Sequence, residues 1–241
     1  AFAFSTKNSI EKNIVQFESG LFNTYRGLAM INLLGKNGKI FNGIKESAYI
    51  SGEYNFTDGY FENKQKFNRV NVFGKYYGLL SNHTIFSVAA SHFASQWDAS
   101  GQVPQRAVDD GTISRFGAIN PGEGGNTSRT NVNLNLTNSL SSKVNFKNQF
   151  YFTNYDFNLY SDFTFFLNDP INGDEINQNE NRNIYGFNST VFIKNMFGKP
   201  DWKTDFSIGT RIDDINKISL ARTIQRNFIN YIVNGSVLEK N

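Results

Sequence analysis

The chain has 241 residues, 39% of them hydrophobic and 15% aromatic, with 24 Phe, 11 Tyr, a formal net charge of +3 and no cysteine. The missing cysteines exclude a disulfide framework, a thiol nucleophile and a thiolate metal site. The small, dispersed charge excludes the basic footprint of a nucleic-acid binder, and no apolar run approaches the roughly 20 residues of a membrane-spanning helix.

Taken in chain order, apolar residues recur with period two, the signature of a strand with one wet and one oily face. The first candidate strands cover 13–20 and 25–34. Residues 45–56 set Ala48, Ile50, Tyr54 and Phe56 against Ser47, Tyr49, Ser51 and Glu53. Further segments follow at 68–77 and 84–94. The stretch NVNLNLT alternates strictly, with Asn131, Asn133, Asn135 and Thr137 on one side and Val132, Leu134 and Leu136 on the other. Residues 143–155 oppose Val144, Phe146, Phe150 and Phe152 to Lys143, Asn145, Lys147 and Gln149. After 182–194, residues 202–213 oppose Trp202, Phe206, Ile208 and Ile212 to Lys203, Asp205, Ser207, Arg211 and Asp213. An irregular stretch is expected after Asp213, and a last segment covers 228–239. That makes about ten strands, several near the roughly 10 residues of a tilted barrel strand and longer than the usual 5–6.

Connections alternate between short and long. Asn37-Gly38 predicts a type I′ hairpin turn, and 81–84, 139–142 and 196–201 are also short. A connection at 57–67 and two long polar loops near 95–128 and 156–181 fall at the other end, where the brief 20–24 breaks the pattern. Short turns at one end and large loops at the other is the polarity of bacterial outer-membrane barrels. Loops beyond about 15 residues in a compact domain are usually functional or disordered.

Trp and Arg are the usual recognition anchors. Candidate ligand-contacting residues are therefore Trp97, Arg106, Arg115, Phe116 and Arg129 around the first long loop, and Asp162, Phe163 and Phe165 in the second. Packing of the loops against one another explains each of them equally well. The two histidines, His83 and His92, fall short of a zinc ligand set. No nucleotide-binding, hydrolase or metalloprotease motif is present, and the glycine-rich 122–126 precedes a strand, not a helix. The acid pairs Asp109–Asp110, Asp174–Glu175 and Asp213–Asp214 read as solvated loop carboxylates, because no spacing fixes the separation that glycoside hydrolysis requires. No enzyme, metal or cofactor is expected.

The oily faces meet either lipid or one another. The second alternative is a soluble or surface-exposed β-rich binding protein of adhesin type, with shorter strands and less loop polarity.

The order of segments, WDASGQVPQRAV, then GTISRFGAI, then GGNTSRTN, followed by NQFYFTNYDFNLYSDF, resembles the barrel of TonB-dependent outer-membrane receptors. The opening AFAFSTKNSIEKNIVQFESGLFNTYRGLAMINLL resembles that family's plug–barrel junction. The resemblance implies an all-β, antiparallel, up-and-down transmembrane barrel, here a part of one with about 22 strands. Residues 1–12 are then the end of the plug and 13–241 a partial barrel. It further implies the outer membrane of a Gram-negative bacterium as location, and lipid, a scarce large solute (siderophore, cobalamin or oligosaccharide) and a possible lipoprotein lid as partners. Uptake is energised by the TonB complex through a segment expected to lie outside these 241 residues, as are most of the plug and the closing strands. About ten strands alone leave two open edges, whose unpaired backbone groups each cost several kcal/mol in lipid, so the chain is expected to work as part of a larger barrel.

Overall fold

The computed structural model describes residues 5–35, 37–194 and 202–240. Ten strands run in chain order: β1 Ile14–Gly20, β2 Thr24–Asn32, β3 Lys45–Thr57, β4 Phe67–Ser81, β5 Thr84–Asp98, β6 Gly124–Ser139, β7 Val144–Ser161, β8 Ile176–Lys194, β9 Lys203–Ile224 and β10 Asn227–Lys240. One short helix, α1 Gln105–Asp109, interrupts the β5–β6 loop. Each strand pairs antiparallel with the next, giving one open up-and-down sheet in the order β1 to β10. The expected all-β, up-and-down architecture is what forms.

Register fixes the faces, because residues opposite each other in a ladder project to the same side. One rung joins Ser91, Asn131, Thr153 and Ile184, and the rung two residues on joins Ala89, Asn133, Tyr151 and Gly186. This inner face carries the N-terminal segment. Lys75 Nζ donates to the Thr6 carbonyl at 3.1 Å and to Asn8 Oδ1 at 2.9 Å, while Tyr49 Oη donates to the Lys7 carbonyl at 2.9 Å.

The intervening rungs form the outer face. Ala90, Val132, Phe152, Tyr185 and Ile212 make one row, and Val88, Leu134, Phe150, Phe187 and Thr210 the next. Phe150 packs on Phe187 with ring centroids 4.6 Å apart, and Phe152 on Tyr185 at 5.2 Å. No second layer of the described chain covers this belt, and Phe150 remains 52% exposed. So large a contiguous apolar surface marks an interaction face.

Toward the long-loop end the same outer face turns polar. The next rung is His92, Thr130, Asn154, Asn183 and Asp214. Asparagines then bond across strands, with Asn154 Nδ2 donating to Asn183 Oδ1 at 2.9 Å and Asn181 Nδ2 to Asp156 Oδ2 at 3.1 Å. Strands β7, β8 and β9, of 18, 19 and 22 residues, therefore run well past the belt.

Several boundaries differ from the sequence expectation. The two large loops are 99–123 and 162–175, shorter than their polarity suggests, because strand pairing continues through polar residues. No loop follows Asp213: β9 continues to Ile224, and the irregularity is confined to register shifts around Asn216. β9 and β10 meet instead in a two-residue turn, Gln225–Arg226, with φ of 49° and 63°. Asn37-Gly38 does not form a tight hairpin. The β2–β3 connection spans 33–44 and folds around Glu46, whose carboxylate accepts the N–H groups of Ile40 (2.7 Å), Phe41 (3.1 Å) and Gly43 (2.5 Å). The turns between β4 and β5 and between β6 and β7 are short as expected. The expected turn at 196–201 lies outside the described residues.

Candidate functional site on the inner face and at the loop end

The inner face just below the loops is aromatic and cationic. Phe93, Arg129, Tyr155 and Arg182 share a rung. The Arg129 guanidinium lies over the Tyr155 ring, 5.3 Å from its centroid, a cation–π arrangement that keeps the charge available to solvent. Tyr155 stacks with Phe157 two residues along the strand, at 6.3 Å and 12° between planes. Arg182 pairs with Glu180. Arg129, Asn131, Thr153, Tyr155, Arg182 and Ile184 enclose a recess of about 440 Å³. Among the described residues no carboxylate pairs with Arg129.

At the loop end the main feature is a clasp. The tip of the β9–β10 turn reaches back across the sheet. Arg226 donates from Nε to the Gly122 carbonyl at 2.7 Å, and from Nη2 to Asp98 Oδ1 at 2.8 Å and the Glu123 carbonyl at 3.1 Å. Its guanidinium also lies over the Tyr160 ring at 5.4 Å. The Arg226 backbone N–H donates to Glu175 Oε1 at 2.7 Å, and Thr223 Oγ1 to the same oxygen at 2.8 Å. Glu175 Oε2 accepts from Asn120 Nδ2 at 2.9 Å, and that amide also reaches Asp162 Oδ2 at 3.3 Å. Glu175 thus ties both large loops to the turn from a buried position.

Each large loop also has its own organiser. In 162–175 the Asp174 carboxylate accepts from Thr164 Oγ1 (2.8 Å), the Asn168 N–H (3.0 Å) and the Asp169 N–H (2.9 Å). Burial pushes Asp174 upward, but these bonds outweigh it and hold the group below the ordinary carboxylate range. In 99–123, Phe116 packs edge-on against Tyr60 at 5.5 Å, and its carbonyl accepts the Glu62 N–H at 3.0 Å. The β3–β4 loop is thereby docked on the β5–β6 loop. Burial pushes Glu123 up to about 7; a hydrogen bond from the Asp162 backbone N–H opposes the shift, and the charges of Asp162 and Glu175 reinforce it. Burial likewise raises Asp162. Among the described residues no three His, Asp or Glu side chains group as a metal site.

The sequence candidates do not converge. Trp97 and Arg129 lie on strands β5 and β6 rather than in a loop, both on the inner face. Asp162 joins the Glu175 network. Phe116 packs loop on loop. Arg106, on α1, and Arg115 and Phe163 are exposed on the loops. Phe165 is half-buried at φ 57°, its carbonyl accepting the Asp174 N–H at 2.6 Å. Asp98, Asn120, Tyr155, Arg182 and Arg226 were not among the sequence candidates. Tyr155 and Arg182 could have been found by carrying the strand alternation past the apolar belt. Arg226 carries no local signal.

Neither a scan of family models nor a search of curated proteins returns a match. Five solved chains match. One is the crystal structure of the ferric citrate transporter FecA in its unliganded form, with a TM-score of 0.68 and 12% identity over 94% of this chain. This chain spans about a third of that one, 32% of its length. The likeness shows the fold: ten up-and-down strands arranged as a portion of a large barrel wall.

Proposed function

We propose that this chain is part of the wall of an outer-membrane receptor barrel of the TonB-dependent type, and that it serves uptake of a scarce large solute. One observation carries the reading. The sheet has an uncovered aromatic and aliphatic belt on one face and polar residues on the other, with the N-terminal segment laid across the polar side. An uncovered belt on strands suits lipid, and a polar inner face suits a hydrated lumen. Residues 5–12, hydrogen-bonded to Tyr49 and Lys75, take the place of the end of a plug.

The likeness to a ferric citrate transporter supports a transport role. Binding and movement of a solute, not covalent chemistry, is the work proposed. Arg129, Tyr155 and Arg182 contact the solute in the lumen, and their chemistry suits an anionic or hydroxyl-rich molecule. Trp97, on the same face nearer the mouth, adds a stacking surface. Arg106, Arg115, Phe116, Asp162, Phe163 and Phe165 belong to loops that close over the mouth. The TonB complex supplies the energy, and a lipoprotein lid is compatible with the loop end.

The test is to ask where the chain folds, using circular dichroism on the aqueous and detergent-solubilised fractions after expression. Folding only in detergent or outer membrane, or only once the remaining strands are supplied, is the expected result. A soluble, cooperatively folded monomer in plain buffer would remove the lipid-facing assignment and favour the β-rich adhesin reading.

A further inference from the structure

Five buried side-chain N or O atoms among the described residues lack a hydrogen-bond partner, and four of them belong to residues at or beside the ends of the two large loops: Ser100 Oγ, Glu123 Oε1, Ser161 Oγ and Asp162 Oδ1. The four residues are 4%, 5%, 3% and 2% exposed. The Ala99 N–H donates to the Glu123 carbonyl at 2.9 Å, which ties the chain at Ser100 to Glu123. A Cβ on Gly101 would come within 1.8 Å of Glu123 Oε1, so that oxygen presses on the Ser100–Gly101 backbone. Gly101 sits at φ 63°, a left-handed conformation that lets the loop wrap the carboxylate. From the other loop, the Asp162 backbone N–H donates to the Glu123 carboxylate and the Asp162 carboxylate is its charged neighbour, with Ser161 beside it in sequence.

No cation within the chain answers these charges. Neither Glu123 nor Asp162 has an ion-pair partner among the described residues. Arg226, which touches the Glu123 carbonyl, is engaged by Asp98 and by the carbonyls of Gly122 and Glu123. Two buried carboxylates without a counter-charge are costly, and a buried unmatched oxygen adds to that cost. The unmatched donors are oxygens alone, two from carboxylates and two from hydroxyls. Oxygen donors select hard cations, and an irregular set drawn from two loops suits calcium, which tolerates flexible geometry, better than magnesium.

We propose that Glu123 and Asp162, with the hydroxyls of Ser100 and Ser161, bind one calcium ion that staples the 99–123 loop to the 162–175 loop. With only two acids, the set differs from a three-carboxylate cluster, and the serine hydroxyls complete it. The inference is independent of the transport reading, since any protein with these loops would bind the ion.

The test is a calcium chloride titration by calorimetry of the EDTA-stripped protein in the medium in which it folds, detergent or plain buffer, paired with timed trypsin digestion at Arg106 and Arg115. The expected result is one calcium per chain and slower cleavage with calcium than with EDTA. Asp162→Asn is expected to abolish binding. The milder Ser100→Ala, which keeps every charge, is expected to weaken it about tenfold, one step of 1.4 kcal/mol. Glu62→Gln, an acid outside the set, is expected to leave it unchanged. Circular dichroism confirms that each variant is folded before it is scored. Absence of calcium uptake by the folded wild type would overturn the proposal, as would equal uptake by Ser100→Ala or by folded Asp162→Asn. So would full protection of the loop by Glu123→Gln in EDTA when calcium gives the wild type none, a result that assigns the site to a shared proton.

Discussion

Arg226 donates from Nη2 to Asp98 Oδ1 at 2.8 Å, linking residues 128 positions apart and fastening the β9–β10 turn to the end of β5. The turn itself is strained. Gln225 and Arg226 both have positive φ, where glycine or asparagine is normally found. A left-handed non-glycine residue costs about 1–2 kcal/mol. The clasp offsets that cost with four hydrogen bonds from Arg226, counting its backbone N–H. Arg226→Ala keeps the strain and removes the guanidinium, and is expected to lose about 1–3 kcal/mol of loop docking. Faster trypsin cleavage at Arg106 and Arg115, with an unchanged β-sheet spectrum, is the checking measurement. Gln225→Asn with Arg226→Gly, which relaxes the turn, is expected to open the loops as well while unfolding at higher denaturant than Arg226→Ala.

Glu175 is the second fastening. Glu175→Ala leaves the donors on Asn120, Thr223 and Arg226 facing a void. Each unmade buried bond costs about 1–3 kcal/mol, so the loss should exceed that of any one of the three partners. Hydrogen exchange of the 119–123 and 223–226 amides is the readout, with protection falling in both segments together. Loss confined to one segment would mean that Glu175 does not couple them.

Charge on the two faces should have opposite consequences. Leu134→Arg places a cation in the apolar belt, and a cation at a bilayer midplane on a barrel's lipid face costs about 2–4 kcal/mol. Asn133→Arg, one residue away on the inner face, is expected to be close to neutral. Urea titration of refolding into lipid vesicles compares the two. Equal effects would show that the belt does not meet lipid.

The 58–66 loop should loosen in acid. Hydrogen bonds from Lys64 Nζ (2.9 Å) and Asn23 Nδ2 (2.7 Å) hold the Asp58 carboxyl below its ordinary value of 3.8. A depressed folded pKa contributes stability that is complete above the unfolded value and is lost as pH falls through the folded one. Protection of the Asp58 and Gln65 amides is therefore expected to be constant from pH 7 to about 5 and to fall below about pH 4. Asp58→Asn should flatten that profile.

The sequence shows the sheet where one face is apolar and the other is not. Residues 131–137 announce their strand because Val132, Leu134 and Leu136 meet the belt while their neighbours do not. Beyond the belt the signal fades although the ladder continues. Asn126, Asn154, Asn158, Asn179 and Asn183 make the outer face polar too, so Trp97 and Arg129 read as loop residues while lying on β5 and β6. The turn at Gln225–Arg226 is invisible for a different reason, since its conformation is imposed by partners more than 50 residues away and not by its own residue types. Conversely, Asn37-Gly38 carries a hairpin signal that the fold does not use, because Glu46 gathers the preceding backbone into a wider connection. The pairs Asp174–Glu175 and Asp213–Asp214 read as solvated, and the fold instead buries Asp174, Glu175 and Asp213.

Val132, Leu134 and Leu136 are proposed to face lipid, and Asn131, Asn133 and Asn135 to face water. The absence of native cysteine makes single-cysteine scanning of 131–136 direct. Spin labels at each position of the protein in lipid vesicles are read by collision with oxygen, which concentrates in lipid, and with a water-soluble nickel chelate. A period-two pattern is expected, with oxygen favoured at 132, 134 and 136 and nickel at 131, 133 and 135. Nickel access at 132, 134 and 136 equal to that at their neighbours, or burial of those three from both reagents, would contradict it.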